Sequence, residues 1–268
     1  MVIGNIVSKK NRILLRELVA TDFKLRYQGS MLGYAWSLLR PLMLFLILYV
    51  VFVKFLKLGT GIPHYPVYLL LGTVIWNFFG EITSQGVGAI VGRGELIRKI
   101  RIPLWIIVLS SSISALINLG LNLLVVLIFM AANHVDPMRS ALLFPLVLVE
   151  LYLFALGISL FLSAAFVKFR DLSYIWEVVL QGGFYITPIL YPLSRITNLK
   201  LQKLIFMNPM AQIIQDARYA VVTHQTTTVY QVLRGRIYLY IPFALVLLVL
   251  LGGLRYFKQQ SKQFAENV

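Results

Sequence analysis

A chain of 268 residues that is 59% hydrophobic and only 13% charged, with a mean hydropathy of +0.81, is not composed like a soluble domain, which carries about 25% charged residues. The 25 Lys and Arg against 10 Asp and Glu leave +15, but the basic residues fall between long apolar runs instead of forming one patch, which argues against a nucleic-acid partner and for a membrane surface. With no cysteine there is no disulfide framework, thiolate nucleophile or Cys-based zinc site.

Residues 12–28 open the readable pattern. At 100° per residue Leu14, Leu15, Leu18, Val19 and Leu25 share one side, Arg16, Glu17 and Lys24 the other, and Asp22 intrudes on the apolar face. This predicts a helix lying in the membrane interface, with an ordinary solvated leader helix as the alternative. Charged residues precede the first long apolar run, so no secretory leader is expected. A spanning helix needs about 20 mostly apolar residues. The gaps between charges predict six spans, near 35–57, 65–91, 104–132, 140–167, 174–193 and 237–257. The segment 191–236 stays apolar through Leu201, Leu204, Ile205, Phe206, Ile213 and Ile214, so it is expected to dip back into the membrane, broken at Asn208 and Pro209. Thr187 and Pro188 mark another break near the end of span five. The fold class expected is an all-α polytopic membrane protein, one transmembrane domain over 1–268.

Basic residues favour cytoplasmic loops. With six spans both termini share a side, and that side collects 16 of the 25 Lys and Arg. Both termini are therefore expected in the cytoplasm, with the chain in the cytoplasmic (inner) membrane.

No GxxxxGK[ST] phosphate loop, HExxH or GxSxG occurs, so neither ATP hydrolysis by this chain alone nor a catalytic residue is expected. His64, His134 and His224 lie in three separate loops, and no metal site is expected from them. Acids in apolar surroundings default to a functional role, and Glu81, Glu150 and Glu177 qualify. Glu81 is read as facing a cavity or pairing with a basic residue of another helix, Glu150 has the same alternatives, and Glu177 is read as a boundary charge. Aromatics in the spans serve as packing or belt residues, or line a passage on which sugar rings slide. For that passage the candidates are Phe45, Tyr49 and Phe52, which share one helical stripe, with Trp76, Phe79, Phe184 and Tyr185.

The run Asp22, Phe23, Lys24, Leu25, Arg26, Tyr27, Gln28, Gly29, continuing through Gly33 and Trp36 to Pro41, resembles the entry to the membrane subunit of ABC-2 type polysaccharide exporters, the O-antigen and teichoic-acid permeases. Trp76-Asn77-Phe78-Phe79, then Leu96-Ile97-Arg98-Lys99 with Pro103, then Phe169-Arg170-Asp171-Leu172, Thr187-Pro188, Asn208-Pro209 and Arg218 follow in the same order as in that family. Each motif is weak alone; their joint order covers nearly the whole chain.

The resemblance implies a homodimer of this chain working with two copies of a separate nucleotide-binding subunit, which holds ATP and Mg²⁺, while this chain binds no cofactor. It implies a coupling loop at 92–103 in which Glu95, Leu96, Ile97, Arg98 and Pro103 dock on the ATPase. It implies an outer gate at Pro188, Asn208 and Pro209. The expected cargo is a glycan on undecaprenyl diphosphate, its headgroup met by Arg26, Arg40 and Lys99, and membrane lipid is the other partner. Those three cations have an alternative use as anchors to anionic lipid, at about 1 kcal/mol each. Capsule or teichoic acid, a small lipid or drug, and a polytopic enzyme acting on polyprenyl phosphates are the competing readings. The enzyme would need clustered acids or histidines, whereas Asp22, Glu95 and Asp171 stand apart.

Overall fold

The structure, a computed structural model, describes residues 8–27, 33, 35–59, 61–100, 102–233, 240–262 and 264, the side chains of Phe23, Leu25, Arg26 and Tyr27 excepted. The described residues fold as helices and connecting turns. They are α1 (Lys9–Tyr27), α2 (Ala35–Leu48), α3 (Tyr65–Gly88), α4 (Gly94–Lys99), α5 (Leu104–Ala132), α6 (Phe144–Lys168), α7 (Leu172–Ile186), α8 (Leu199–Phe206), α9 (Pro209–Val221), α10 (Val229–Val232) and α11 (Ile241–Gln260). Helix α2 carries Pro41 inside it and runs on through π-helical turns over Tyr49–Phe55. Pro66, Pro145, Pro209 and Pro242 each stand in the first turn of their helix, where a missing N–H breaks no bond.

Helix α3 is the axis of the molecule. It packs against α5 and α6 along its length and also touches α2, α7 and α9. Of its most apolar stretch 78% is buried, against 6% for Ala35–Phe55, so α3 is held by protein and the first span by its surroundings. Helices α6 and α11 approach at the backbone. A Cβ on Gly157 would lie 2.7 Å from the Leu250 Cα, and one on Gly253 would strike the Gly157 carbonyl. Glycine at both positions lets two apolar helices meet closely without a hydrophobic drive from water.

Five helical segments among the described residues are long and apolar enough to cross a membrane: Ala35–Phe55, Tyr65–Gly88, Leu104–Ala132, Arg139–Lys168 and Ile241–Gln260. The region expected as span five behaves differently. Helix α7 has 15 residues and ends at Ile186, and at 1.5 Å per residue it falls short of a hydrocarbon core about 30 Å thick. Residues 187–193 are apolar enough to extend a composition-based span, but the backbone turns at Thr187-Pro188. The second span stops at Gly88, before a 3-10 turn over Val91–Arg93. The last begins at Ile241; residues 234–239, with Arg234 and Arg236, lie outside the described residues.

Between α7 and α11 the described residues carry the helices α8, α9 and α10, and α8 and α9 part at the expected point. Asn208 accepts the Met210 N–H at 3.0 Å and caps α9. Asn198 caps α8 in the same way, accepting from Lys200 N–H at 2.9 Å. Most of α9 is buried, against α6 and α3. Helix α1 lies against α5.

Candidate functional site

A cavity of about 780 Å³ opens between α2, α3, α5 and α7. Helix α2 lines it with Trp36, Ser37, Arg40, Pro41 and Leu44, α5 with Leu119 and Asn122, and α7 with Leu180. Helix α3 contributes a polar and aromatic strip containing Trp76, Asn77, Glu81, Ser84 and Gln85. The polar groups are held in place from behind. Gln85 Nε2 donates to Glu81 Oε1 at 2.8 Å, Asn118 Nδ2 donates to the same oxygen at 2.6 Å, and Asn122 Nδ2 donates to the Asn118 carbonyl at 2.8 Å. Of the alternatives left by the sequence, Glu81 lines a cavity, and its hydrogen bond across to α5 comes from the Asn118 amide. Indole faces beside amides, hydroxyls and one carboxylate suit a polyhydroxylated ring, whose C–H face contacts aromatic carbon while its hydroxyls meet the polar atoms.

The aromatic candidates divide. Trp76 lines the cavity and packs on Phe79 and Phe184, with ring centroids 5.5 and 6.2 Å away. Phe79 stacks on Phe154 of α6 at 5.7 Å, and Trp176 of α7 donates its indole N–H to Thr83 at 3.0 Å. These rings bolt α3 to α6 and α7. Tyr185 is exposed, edge-on to Phe184 at 5.4 Å. Phe45 is buried against Phe129 of α5 at 5.4 Å, and Tyr49 and Phe52 pack on the same core, so this stripe lies away from the cavity lining.

At the α4 end of the bundle a second cavity, about 520 Å³, is lined by residues 91–96 with Arg98, Lys99 and Arg170. Leu96 and Ile97 are half-buried, and Ile97 and Ile102 rest on a small core that includes Ile90, Ile107 and Phe257. Glu95 and Lys99 are exposed and 3.7 Å apart. Pro103, in extended conformation, precedes α5. Of the basic residues proposed for a headgroup, Arg40 lines the first cavity and Lys99 the second, and the Arg26 side chain lies outside the described residues.

At the other end of α3 the gate candidates do come together. Asn208 Nδ2 donates to the Thr187 hydroxyl at 3.3 Å, beside Pro188. Arg218 is fully buried there: its Nη1 donates to the Pro188 carbonyl at 2.6 Å, Nη2 to Ile189 at 2.8 Å and Nε to Tyr68 at 3.0 Å, with its carbon 3.5 Å over the Tyr68 ring. Nearby, the Gln212 amide donates to both Glu150, at 3.2 Å, and Asp216, at 2.7 Å. The sequence reading named none of Trp36, Asn77, Ser84, Gln85, Asn118 or Asn122 as site residues. The available signal was spacing: Glu81 with Gln85, and Asn118 with Asn122, are polar pairs at i, i+4 inside apolar helices.

The model of the family described as ABC-2 type transporter matches residues 13–222. The O-antigen export system permease protein RfbA of Myxococcus xanthus is 30% identical over 259 residues, 96% of each chain. A protein of the same description from Klebsiella pneumoniae is 30% identical over 206 residues, 76% of this chain and 78% of its own. The polysialic acid transport protein KpsM of Escherichia coli is 24% identical over 212 residues, 78% of this chain and 81% of its own. Such relatives are transport subunits, and this multi-pass membrane chain is one too, not an enzyme. With the family match covering most of its length and a relative aligned almost end to end, the chain belongs to the ABC-2 type transporter family.

Proposed function

We propose that this chain is the permease of an ATP-driven exporter that moves a lipid-linked polysaccharide of the O-antigen type, carried on undecaprenyl diphosphate, across the cytoplasmic membrane. The observation that carries the reading is the cavity of about 780 Å³ in which Trp36 and Trp76 stand beside Asn77, Glu81, Gln85 and Asn122. Aromatic contact without a strong fixed site lets successive sugars pass, and the relatives named for O-antigen export supply the polymer class. Two copies of the chain work with two copies of an ATPase that holds ATP and Mg²⁺. Six passes, with residues 187–193 completing the one begun by α7, place both termini in the cytoplasm; α8 and α9 are then re-entrant and the contacts of Pro188, Asn208 and Pro209 close the outer end.

Helix α4 is the piece that docks on the ATPase, and ATP binding shifts the permease only through a difference in affinity between its two states. Purified together with the ATPase, in lipid, the complex hydrolyses ATP faster when lipid-linked glycan is added. Leu96→Asp or Ile97→Asp uncouples hydrolysis from export by about tenfold or more, since a charge in a docking contact costs several kcal/mol. Full export by both variants, or a wild-type chain that binds no ATPase, would refute the reading. Kinship with a polysialic acid transport protein favours capsular polymer as the second cargo, and the same assay with that glycan decides between them.

A further inference from the structure

Asp22 is the one acid on the otherwise apolar face of α1, and a carboxylate on a face turned toward protein requires a partner. It has one 71 residues away: the Arg93 guanidinium, whose Nη2 is paired with Asp22 Oδ1. Arg93 closes the turn Val91–Arg93 that leads directly into α4. Its Nη1 donates to the Ser110 hydroxyl at 2.9 Å and to the Ile107 carbonyl at 3.3 Å, both on α5, and Ser110 Oγ lies 3.5 Å from Asp22 Oδ2. Ser110 is fully buried, while the Arg93 and Asp22 side chains keep 19% and 23% exposure. One guanidinium therefore ties α1, the α4 turn and the start of α5. Ile90, at the base of the turn, is fully buried beside Ile107 and Val108, so the turn is anchored, whereas the Glu95 and Lys99 side chains of α4 are exposed.

We propose that Asp22, Arg93 and Ser110 form a coupling clamp, a positioning contact through which α1 moves as one body with the turn carrying α4. A displacement received by α4 then reaches the interface helix without passing through α2. Gly33, between α1 and α2, has φ +46°, a left-handed conformation that suits glycine and separates the two helices. The inference rests on the reading of α4 as the ATPase contact, and its test has one arm that needs no ATPase.

In the complex reconstituted with its ATPase, Asp22→Ala and Arg93→Ala each lower glycan exported per ATP hydrolysed by about tenfold, with complex formation and hydrolysis kept. The double variant loses no more than the worse single, because one contact is lost only once, and the reversal Asp22→Arg with Arg93→Asp recovers part of the loss. Unchanged export per ATP in both singles, or losses that multiply in the double, would overturn the clamp. The second arm uses the absence of native cysteine. Spin labels at Ile13→Cys on α1 and Lys99→Cys on α4, both exposed positions, give a narrow distance distribution in the permease alone. Asp22→Ala broadens it; a distribution that Asp22→Ala leaves unchanged refutes the tie even if the exporter reading stands. A wild-type complex that fails to form removes the exporter reading and leaves this second arm to decide the clamp.

Discussion

Arg93 and Arg218 sit at opposite ends of α3 and are satisfied by opposite means. Arg218 is fully buried, with three backbone carbonyls and a tyrosine face around it. Those carbonyls belong to α3 and to the turn after α7, so the site exists only when α9 is seated on both. Arg93 has a carboxylate, a hydroxyl and one carbonyl, and water reaches its edge. A cation chelated by carbonyls has no other partner to move to and acts as a rivet, whereas a partly hydrated ion pair can part and re-form at modest cost. The α9 end is built to stay assembled, whereas the α4 end is held by a contact that water can partly replace.

The sharpest way to break this contrast is to remove each arginine. Arg218→Ala removes the donor from three buried carbonyls, two of them in the turn after α7 and outside any helix, and should cost about 3–5 kcal/mol, lowering the thermal midpoint in detergent and exposing α9 to protease. Arg218→Lys recovers little, because one ammonium cannot reproduce a planar fork. Arg93→Ala should cost only about 1 kcal/mol, since water replaces part of what is lost. Equal losses from the two alanine variants would show that the α4 end is as rigidly built as the α9 end.

A second approach leaves the arginine in place and crowds it. A Cβ on Gly72 would meet Arg218 Nη2 before any other atom. Elsewhere the end of a long side chain moves aside cheaply, but here three carbonyls hold it. Gly72→Val should therefore cost about 1–3 kcal/mol, as overpacking does in a full core. A stability loss below a few tenths of a kcal/mol would mean the guanidinium is free to slide, contrary to a rivet.

How much of this was legible in the sequence follows from what each signal depends on. Of the six expected spans, five fall on helices long and apolar enough to cross, because apolarity over about 20 residues is itself the requirement for crossing. The break at Asn208-Pro209 was legible because a capping side chain and a residue without an N–H act locally. The break at Thr187-Pro188 was legible too, and α7 ends there, but apolar composition carried the expected span on to residue 193. The polar wall of the cavity escaped because gaps between charges do not register Asn, Gln or Ser, and only Glu81 stood out. Asp22 was visible as a flaw in an apolar face, but its partner lies 71 residues on, and no periodicity connects the two.

The smallest expected effect concerns the acids beside the rivet. Glu150 and Asp216 both draw on the one Gln212 amide, and the Gln212 carbonyl oxygen and Glu150 Oε1 are buried without a hydrogen-bond partner among the described residues. Two carboxylates around a single donor repel one another unless one holds a proton. Asp216→Asn removes one of the like charges and keeps an oxygen that can accept from Gln212. It should stabilise the seating of α9 by about 0.5–1 kcal/mol at neutral pH, read as a higher thermal midpoint. Acidification supplies to the wild type the proton that the variant does not need, so the gap between them should close as the pH falls. A destabilised Asp216→Asn would mean that the carboxylate pair is itself part of what holds α9, and that the α9 end relies on charge as well as on the carbonyl cage of Arg218.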